Sequence, residues 1–278
     1  MILFISIANE KYYYYIERIN RGGDEMVEII DVNADNVEHT GFFCMRSKSK
    51  TLGYQQKLHW LKKRFSDGLH LKIIQDEDYP RGFIEYVPSE YTWRAVEAEN
   101  FMIIHCLWIV GQGKGKGYAS RLLDACIHDA IDQNKSGIAM VTSKGTWLTD
   151  KSFFINKGFH VVDEAPPSFE LIARKFVDCP SPRFPNNWTE RAEQYHTGIT
   201  ILRSDQCPYN DNAVQIITET AQELGIDINV IEINNCKDAQ NAPSAYGTFN
   251  VIYNGKLLTY HPVSKREFLK LLQEVEET

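Results

Sequence analysis

The residues in this chain with the most evident chemical capacity lie in Val110-Gly111-Gln112-Gly113-Lys114-Gly115-Lys116-Gly117-Tyr118-Ala119-Ser120, four glycines at alternate positions after the apolar run 101–109. Glycine lacks a Cβ, so successive amide N–H groups can turn toward one anion, and a helix opening there adds its own free N–H groups and dipole. A phosphate-bearing ligand suits such backbone. The spacing excludes two nucleotide motifs. A P-loop needs Gly-Lys-Ser/Thr after Gly and four residues, but the fifth place from Gly111 is Lys116 and from Gly113 is Tyr118. The dinucleotide fingerprint needs a third glycine at its sixth place, where the three starts put Lys116, Tyr118 or Ser120.

Two strand residues have the chemistry for proton transfer. Glu85 sits inside Phe83-Ile84-Glu85-Tyr86-Val87, where a carboxylate marks either solvent or a site. His105 sits inside Ile103-Ile104-His105-Cys106-Leu107, and an imidazole titrates in the useful range. Both also fit a structural role, facing water or hydrogen-bonded in the core. Cys207, in Cys207-Pro208-Tyr209-Asn210 before an apolar-periodic segment, is a thiol whose pKa a helix start can lower. Its alternative is an inert thiol.

The elements that hold these residues follow from pattern. Strands are expected over 27–32, 69–75, 81–87, 101–110, 138–142, 159–162 and 169–176. Helices are expected from Asp35 through Cys44, around the stripe Tyr54, Leu58, Leu61 and Phe65, over 118–133, and over 151–157 before Gly158. Cys179-Pro180-Ser181-Pro182-Arg183-Phe184-Pro185 then breaks both helix and sheet. Beyond it come strands 199–203, 229–233, 249–253 and 256–260, with helices 212–224 and 265–275. The expected division is an extension 1–25, a domain 26–178, a linker 179–197 and a second domain 198–278.

At 278 residues the chain is long enough for two cores, and 43% hydrophobic with 24% charged residues is the balance of a soluble protein. A net charge of -7 argues against nucleic acid as a partner, and Lys62-Lys63-Arg64 reads as a solvated helix face. Six scattered cysteines without a Cys-x-x-Cys pair indicate neither a zinc ribbon nor a disulfide framework, so no metal is expected and a reducing cytoplasm is the simplest setting. The apolar run 2–7 is too short to span a bilayer and lacks a signal peptide's flanks. The aperiodic stretch before Met26 suggests that Met26 is the native start and 1–25 an upstream extension, the alternative being an added edge strand over 2–8.

The loop also resembles the acyl-CoA motif of the GNAT N-acetyltransferase superfamily, Gln/Arg-x-x-Gly-x-Gly/Ala, in the registers Gln112 to Gly117 or Lys114 to Ala119. The second places Leu122-Leu123 where that family buries paired leucines. Lys157-Gly158-Phe159 resembles the Gly-Phe that ends the family's last helix. Gly53-Tyr54-Gln55-Gln56-Lys57, Phe83-Ile84-Glu85-Tyr86-Val87-Pro88 and Lys114-Gly115-Lys116-Gly117-Tyr118 are similar to the acetyltransferases with a C-terminal YoaP-like domain.

The resemblance implies an α/β (α+β) GNAT fold, a mixed and mostly antiparallel sheet flanked by helices, followed by a small thioredoxin-like domain. It implies acetyl transfer from acetyl-CoA, as co-substrate, to a primary amine of a small molecule or peptide. The amides from Gly115 to Ser120, across Lys116, Gly117, Tyr118 and Ala119, would hold pyrophosphate, with Lys114 and Lys116 adding charge. Ile109 and Val110 would pair with the pantetheine arm, and Gly111 would open the loop. Glu85 and His105 would be the base candidates. The family's acid is a Tyr, but its place holds Phe154 and the place of a preceding Asn holds Trp147. Tyr118, Ser152, water or an unaided thiolate would have to serve instead. In the second domain Asn210 stands where a resolving Cys would be, and Gly247-Thr248 where the thioredoxin fold has its cis-Pro. Two other readings stay open: an acyl-CoA-binding sensor with an interaction module, and a monothiol redox protein using Cys207.

Overall fold

The computed structural model describes residues 27–145 and 147–277. The expectations for residues 1–25 and for Met26 lie outside the described residues. In chain order the elements are β1 Val27–Val32, α1 Val37–Thr40, α2 Leu52–Arg64, β2 His70–Asp76, β3 Tyr79–Pro88, β4 Phe101–Ile109 and α3 Tyr118–Asp132. Next come β5 Gly137–Ser143, α4 Ser152–Ile155, β6 His160–Ala165, β7 Phe169–Lys175 and α5 Trp188–Glu193. The chain closes with β8 Ile199–Arg203, α6 Asn210–Leu224, β9 Ile228–Glu232, α7 Cys236–Gln240, β10 Phe249–Tyr253, β11 Lys256–Thr259 and α8 Lys265–Glu276.

Seven strands form one sheet in the order β1-β2-β3-β4-β5-β7-β6, antiparallel except where β4 meets β5. The near-continuous apolar runs of β4 and β5 suit this centre, where both faces are covered. On one face lies α3, which buries Leu122, Leu123, Cys126 and Ala130 against Ile84, Tyr86, Ile104 and Met140. On the other face lies α2, with Tyr54, Trp60 and Leu61 packed over Leu71, Ile73 and Phe83.

The second sheet, β11-β10-β8-β9, pairs β8 with β9 in parallel and with β10 antiparallel. It packs on the α2 side of the first sheet. Phe101, Ile103, Ala139 and Val141 share one apolar cluster with Ile199, Ile201, Ile217, Phe249 and Phe268. The proline-rich segment between the sheets is packed as well: Phe184 is buried, its amide donates to Asp163 Oδ2 at 2.7 Å, and Arg183 bridges to Glu97.

Several elements differ from expectation for local reasons. The helix expected from Asp35 to Cys44 stops at Thr40, because Gly41 takes φ 68° and a Cβ there would meet the Tyr54 hydroxyl. The turn at 76–80 is tighter, with Glu77 and Asp78 alone in left-handed backbone, so β3 starts at Tyr79. Within 179–197, α5 forms from Trp188. Helix α7 begins at the cap Asn235, whose side chain accepts from the Asp238 amide.

Arg94, 1% exposed, ties the two sheets together. Its Nη1 donates to Trp93 O at 3.2 Å, Gln206 Oε1 at 2.9 Å and Tyr246 O at 3.1 Å, and its Nη2 to His105 O at 2.9 Å. The guanidinium also lies 4.5 Å from the Tyr246 ring centroid. Removing it orphans four buried acceptors, one in β4 and three in the segments that lead into β4, out of β8 and into β10. Arg94→Met is expected to cost about 3 kcal/mol or more in urea unfolding, because each orphaned acceptor forfeits its desolvation compensation.

Candidate active site

The central parallel pair does not stay paired. Register contacts run from Phe101↔Gly137 to Ile104↔Met140 and stop, so the carboxyl halves of β4 and β5 part. At that point β4 carries a bulge, since Glu85 faces Cys106 while Tyr86 faces Ile104, leaving His105 as the extra residue. The insertion brings His105 and Cys106 in succession to the face that Glu85 occupies. Beyond it, Val110 N–H donates to Arg81 O at 2.9 Å, so Val110 is committed to β3. Backbone groups alternate sides along a strand, so those of Leu107 and Ile109 face the opening. Leu107 O accepts from Thr149 Oγ1 at 3.1 Å on that side, as the alternation requires. Of the two residues expected to pair with a ligand arm, Ile109 has the orientation and Val110 does not.

The glycine loop lies at the mouth of this opening. Gly111, Gly115 and Gly117 adopt φ 50°, 79° and 81°, and a Cβ added at any of them would meet nothing within 4 Å. Backbone conformation, not crowding, selects glycine at these places. Turn bonds use the amides of Gly113, Lys114 and Lys116, and the Arg121 amide reaches back to Gly117 O. The amides of Gly115, Gly117, Ala119 and Ser120 make no backbone bond outside regular elements among the described residues, and no side chain caps α3. These donors sit at the positive end of a fifteen-residue helix.

Asp76 moors the loop. Its Oδ2 accepts from Lys116 Nζ at 2.9 Å and from Tyr118 OH at 2.8 Å, and these bonds hold its carboxyl below the usual range. Lys116 thus ties the loop to β2 through an ion pair while its side chain keeps substantial exposure. Lys114 is exposed. The Tyr118 phenol, buried at the start of α3, donates to the same carboxylate. Ser152 hydrogen-bonds Asp150 at the surface. Phe154 is fully buried against Phe159 in the α3-side core.

Glu85 and His105 are brought together, in a cluster that includes partners distant in sequence. Glu85 Oε2 accepts from Lys57 Nζ at 2.5 Å, and Oε1 accepts from Gln206 Nε2 at 2.8 Å and lies 3.2 Å from His105 Nδ1. The Trp93 amide donates to His105 Nε2 at 3.1 Å, and Thr92 Oγ1 lies 3.2 Å from it. That donor assigns the tautomer: Nε2 is unprotonated and Nδ1–H donates to Glu85. Burial pushes the His105 imidazole down to about 4, against the pull of Glu85. Burial raises Glu85, but Lys57 and the His105 bond outweigh it and hold the carboxyl far below its ordinary value. Both groups are thus held in the state that resists taking up a proton, Glu85 by Lys57 and the His105 bond and His105 by burial.

Sequence reasoning missed Lys57 and Gln206. Lys57 had a signal, since with Tyr54 and Leu61 it falls on the buried stripe of α2, where a lysine needs an anion. Cys207 lies close to Cys44, Cys106 and Lys57, and burial pushes its thiol up to about 11, although the Tyr209 amide bonds it. Burial of this half-buried thiol thus works against the lowering that a helix start would bring. No group of His, Cys, Asp or Glu suited to a metal ion occurs among the described residues. No helix among them is long and apolar enough to cross a membrane.

Comparison with known proteins gives this architecture a family. The acetyltransferase (GNAT) family model matches residues 36–145, which include the parted strands and the glycine loop. A relative from Bacillus subtilis (strain 168) described as an uncharacterized N-acetyltransferase, YoaP, is 33% identical over 247 residues, 87% of this chain and 97% of the relative. The chain belongs to the GNAT N-acetyltransferase family and is an acyltransferase. Within it the chain is of the YoaP-like kind, a second model of that description matching residues 227–270. Among solved structures, an N-acetyltransferase from Thermoplasma acidophilum in complex with coenzyme A is 14% identical, covering 54% of this chain and 99% of that one, at a TM-score of 0.39. A GNAT family acetyltransferase from Brucella melitensis in complex with acetyl-CoA is 12% identical, covering 56% and 92%, at a TM-score of 0.36.

The buried cluster sets a pH dependence of stability. His105 is depressed when folded, so its contribution is fully present above the unfolded imidazole value near 6.5 and is lost as pH falls toward about 4. Glu85 is also depressed, so its contribution is present above the unfolded carboxyl value and declines at still lower pH. Urea midpoints should fall steadily below about pH 6.5, by on the order of 3 kcal/mol for the histidine step. His105→Gln should flatten the upper part of that slope.

Proposed function

We propose that the protein transfers the acetyl group of acetyl-CoA to a primary amine of a small molecule or peptide. The observation that carries this is the parting of β4 from β5 beside the uncapped start of α3. The opening gives an extended pantetheine arm a strand edge at Leu107 and Ile109, and the loop amides of Gly115, Gly117, Ala119 and Ser120 give its pyrophosphate a set of donors. A strand amide at the bulge stabilises charge developing on the thioester oxygen. The names of the two structures bound to coenzyme A and acetyl-CoA agree with this ligand.

The acceptor enters on the face of Glu85, beneath the second sheet. Glu85, paired with Lys57 and enclosed by Gln206 and His105, stays ionised and holds the floor of that face, so the proton released by the ammonium goes on to water. The division of the chain at 26–178, 179–197 and 198–278 belongs to this reading. So does a thioredoxin-like second unit, supported by the strand order β11-β10-β8-β9 with its parallel β8–β9 pair. Action in a reducing cytoplasm is supported by six free cysteines.

Calorimetry with CoA, followed by a mass-spectrometric screen of an amine panel for acetylated products, tests the proposal; absence of CoA binding overturns it. Gly117→Val places a β-branched residue at φ 81° and should weaken CoA binding at least tenfold. Glu85→Gln should lower kcat/KM while leaving the apparent pKa values of the pH profile in place, because the carboxylate stays ionised throughout the working range. A lost acidic limb would instead make Glu85 the titrating base.

A further inference from the structure

Aromatic side chains from separate segments meet on the acceptor side of the opening. Trp147, in the loop after β5, meets Tyr209, in the segment before α6, with ring centroids 5.9 Å apart at 90°. The His261 ring, from the segment after β11, lies along Trp147 at 6.1 Å and 16°. Its orientation is fixed, since Nδ1–H donates to Pro262 O at 3.0 Å. We infer that the acceptor is a primary amine carried on a flat aromatic ring, and that Tyr209 and Trp147 seat that ring. This inference rests on the acetyltransferase reading and names its acceptor class.

Contacts to both units place this corner at the opening. Thr149 Oγ1 donates to Leu107 O at 3.1 Å, so the loop that carries Trp147 reaches back to the parted half of β4. Tyr260, next to His261, has its hydroxyl 3.1 Å from Ser143 Oγ at the carboxyl end of β5. Gln206, just before Tyr209 in sequence, donates to Glu85 at 2.8 Å, and Pro208 lies against Gly53 at the start of α2. The corner therefore stands on the face that Glu85 floors. Trp108, on β4 opposite Phe83 and on that same face, is 47% exposed, and Tyr209 is 43% exposed. Two large aromatic side chains left open at one mouth offer surface that a flat ligand would cover.

Charge favours a ring over a polycation. The carboxylate of this face, Glu85, is paired with Lys57 and enclosed by His105 and Gln206, so it has no unpaired charge to offer a second ammonium group. Perpendicular and offset-parallel rings, by contrast, extend to a further ring, because the negative face of one meets the positive edge of the next. Each such contact adds roughly a few-fold in affinity beyond the area it buries, a gain that a saturated ring of the same bulk does not make.

The test uses the full chain saturated with CoA, titrated by calorimetry with phenethylamine, with cyclohexylethylamine, which keeps the amine and the bulk but has no π face, and with spermidine. The aromatic amine should bind about tenfold tighter than the saturated one, both in the wild type and in Tyr209→Phe. In Tyr209→Leu that preference should shrink by about threefold or more, with CoA bound as before. Equal binding of the two ring amines, or binding of neither, overturns the inference, and this comparison needs no variant. An unchanged preference in Tyr209→Leu overturns the seat at Tyr209. Tighter binding of spermidine than of either ring amine makes the corner a cation site and overturns the aromatic acceptor. Failure of the wild type to bind CoA overturns the acetyltransferase reading and this inference with it, whereas CoA binding without the aromatic preference overturns this inference alone.

Discussion

Glu85 is a carboxylate that the fold must keep charged where charge is costly. At 2% exposure it has left water behind, and three elements compensate: α2 through Lys57, β4 through His105, and the segment after β8 through Gln206. Each partner fixes something else. Lys57 seats α2 on the sheet, His105 ties the bulge to Trp93, and Gln206 passes the connection to Arg94. Loss of any one partner leaves a buried group unsatisfied, so the cluster assembles as a unit. Arg94 adds a second buried cation next to one carboxylate. Its neutral carbonyl partners and the Tyr246 ring replace the counter-ion it lacks.

The two sheets are consequently parts of one interior. The apolar cluster that contains Phe101 and Val141 also contains Ile201 and Phe249, and Gly53 permits the approach, since a Cβ there would lie 2.3 Å from Pro208 O. The covered face is the one that carries Glu85, His105 and Cys106. A second unit placed there adds a side chain, Gln206, to the buried polar cluster of the first. This gives a physical meaning to Phe154: once the hydroxyl expected on α4 is absent, that ring is free to complete the α3-side core with Phe159.

Much of this was legible in the chain. Periodicity placed the central strands, α3 and the second-unit helices, because each has a clean apolar face. The glycine pattern marked a loop of left-handed backbone, because φ > 0 at Gly115 and Gly117 leaves a direct mark on composition. The breaks were less visible where a few contacts decide them, as at Gly41, which ends α1 beneath the Tyr54 hydroxyl. Site partners were hidden for a different reason. Gln206 lies 121 residues from Glu85, and no local pattern encodes a contact made only when two sheets meet. The bonds that Asp76 makes to Lys116 and Tyr118, forty and more residues later, were hidden in the same way.

The bulge at His105 gives β4 two phases. Up to Ile104 the odd-numbered residues point toward the second sheet, and after Cys106 the even-numbered Trp108 stands opposite Phe83 on that same side. The strand therefore cannot be read, aligned or redesigned with a single alternating template. Deleting one residue between Ile104 and Leu107 would bring the two halves into step and turn the glycine loop by half a pleat relative to the acceptor face. Reading-frame fidelity within this strand matters as much as the identity of its residues.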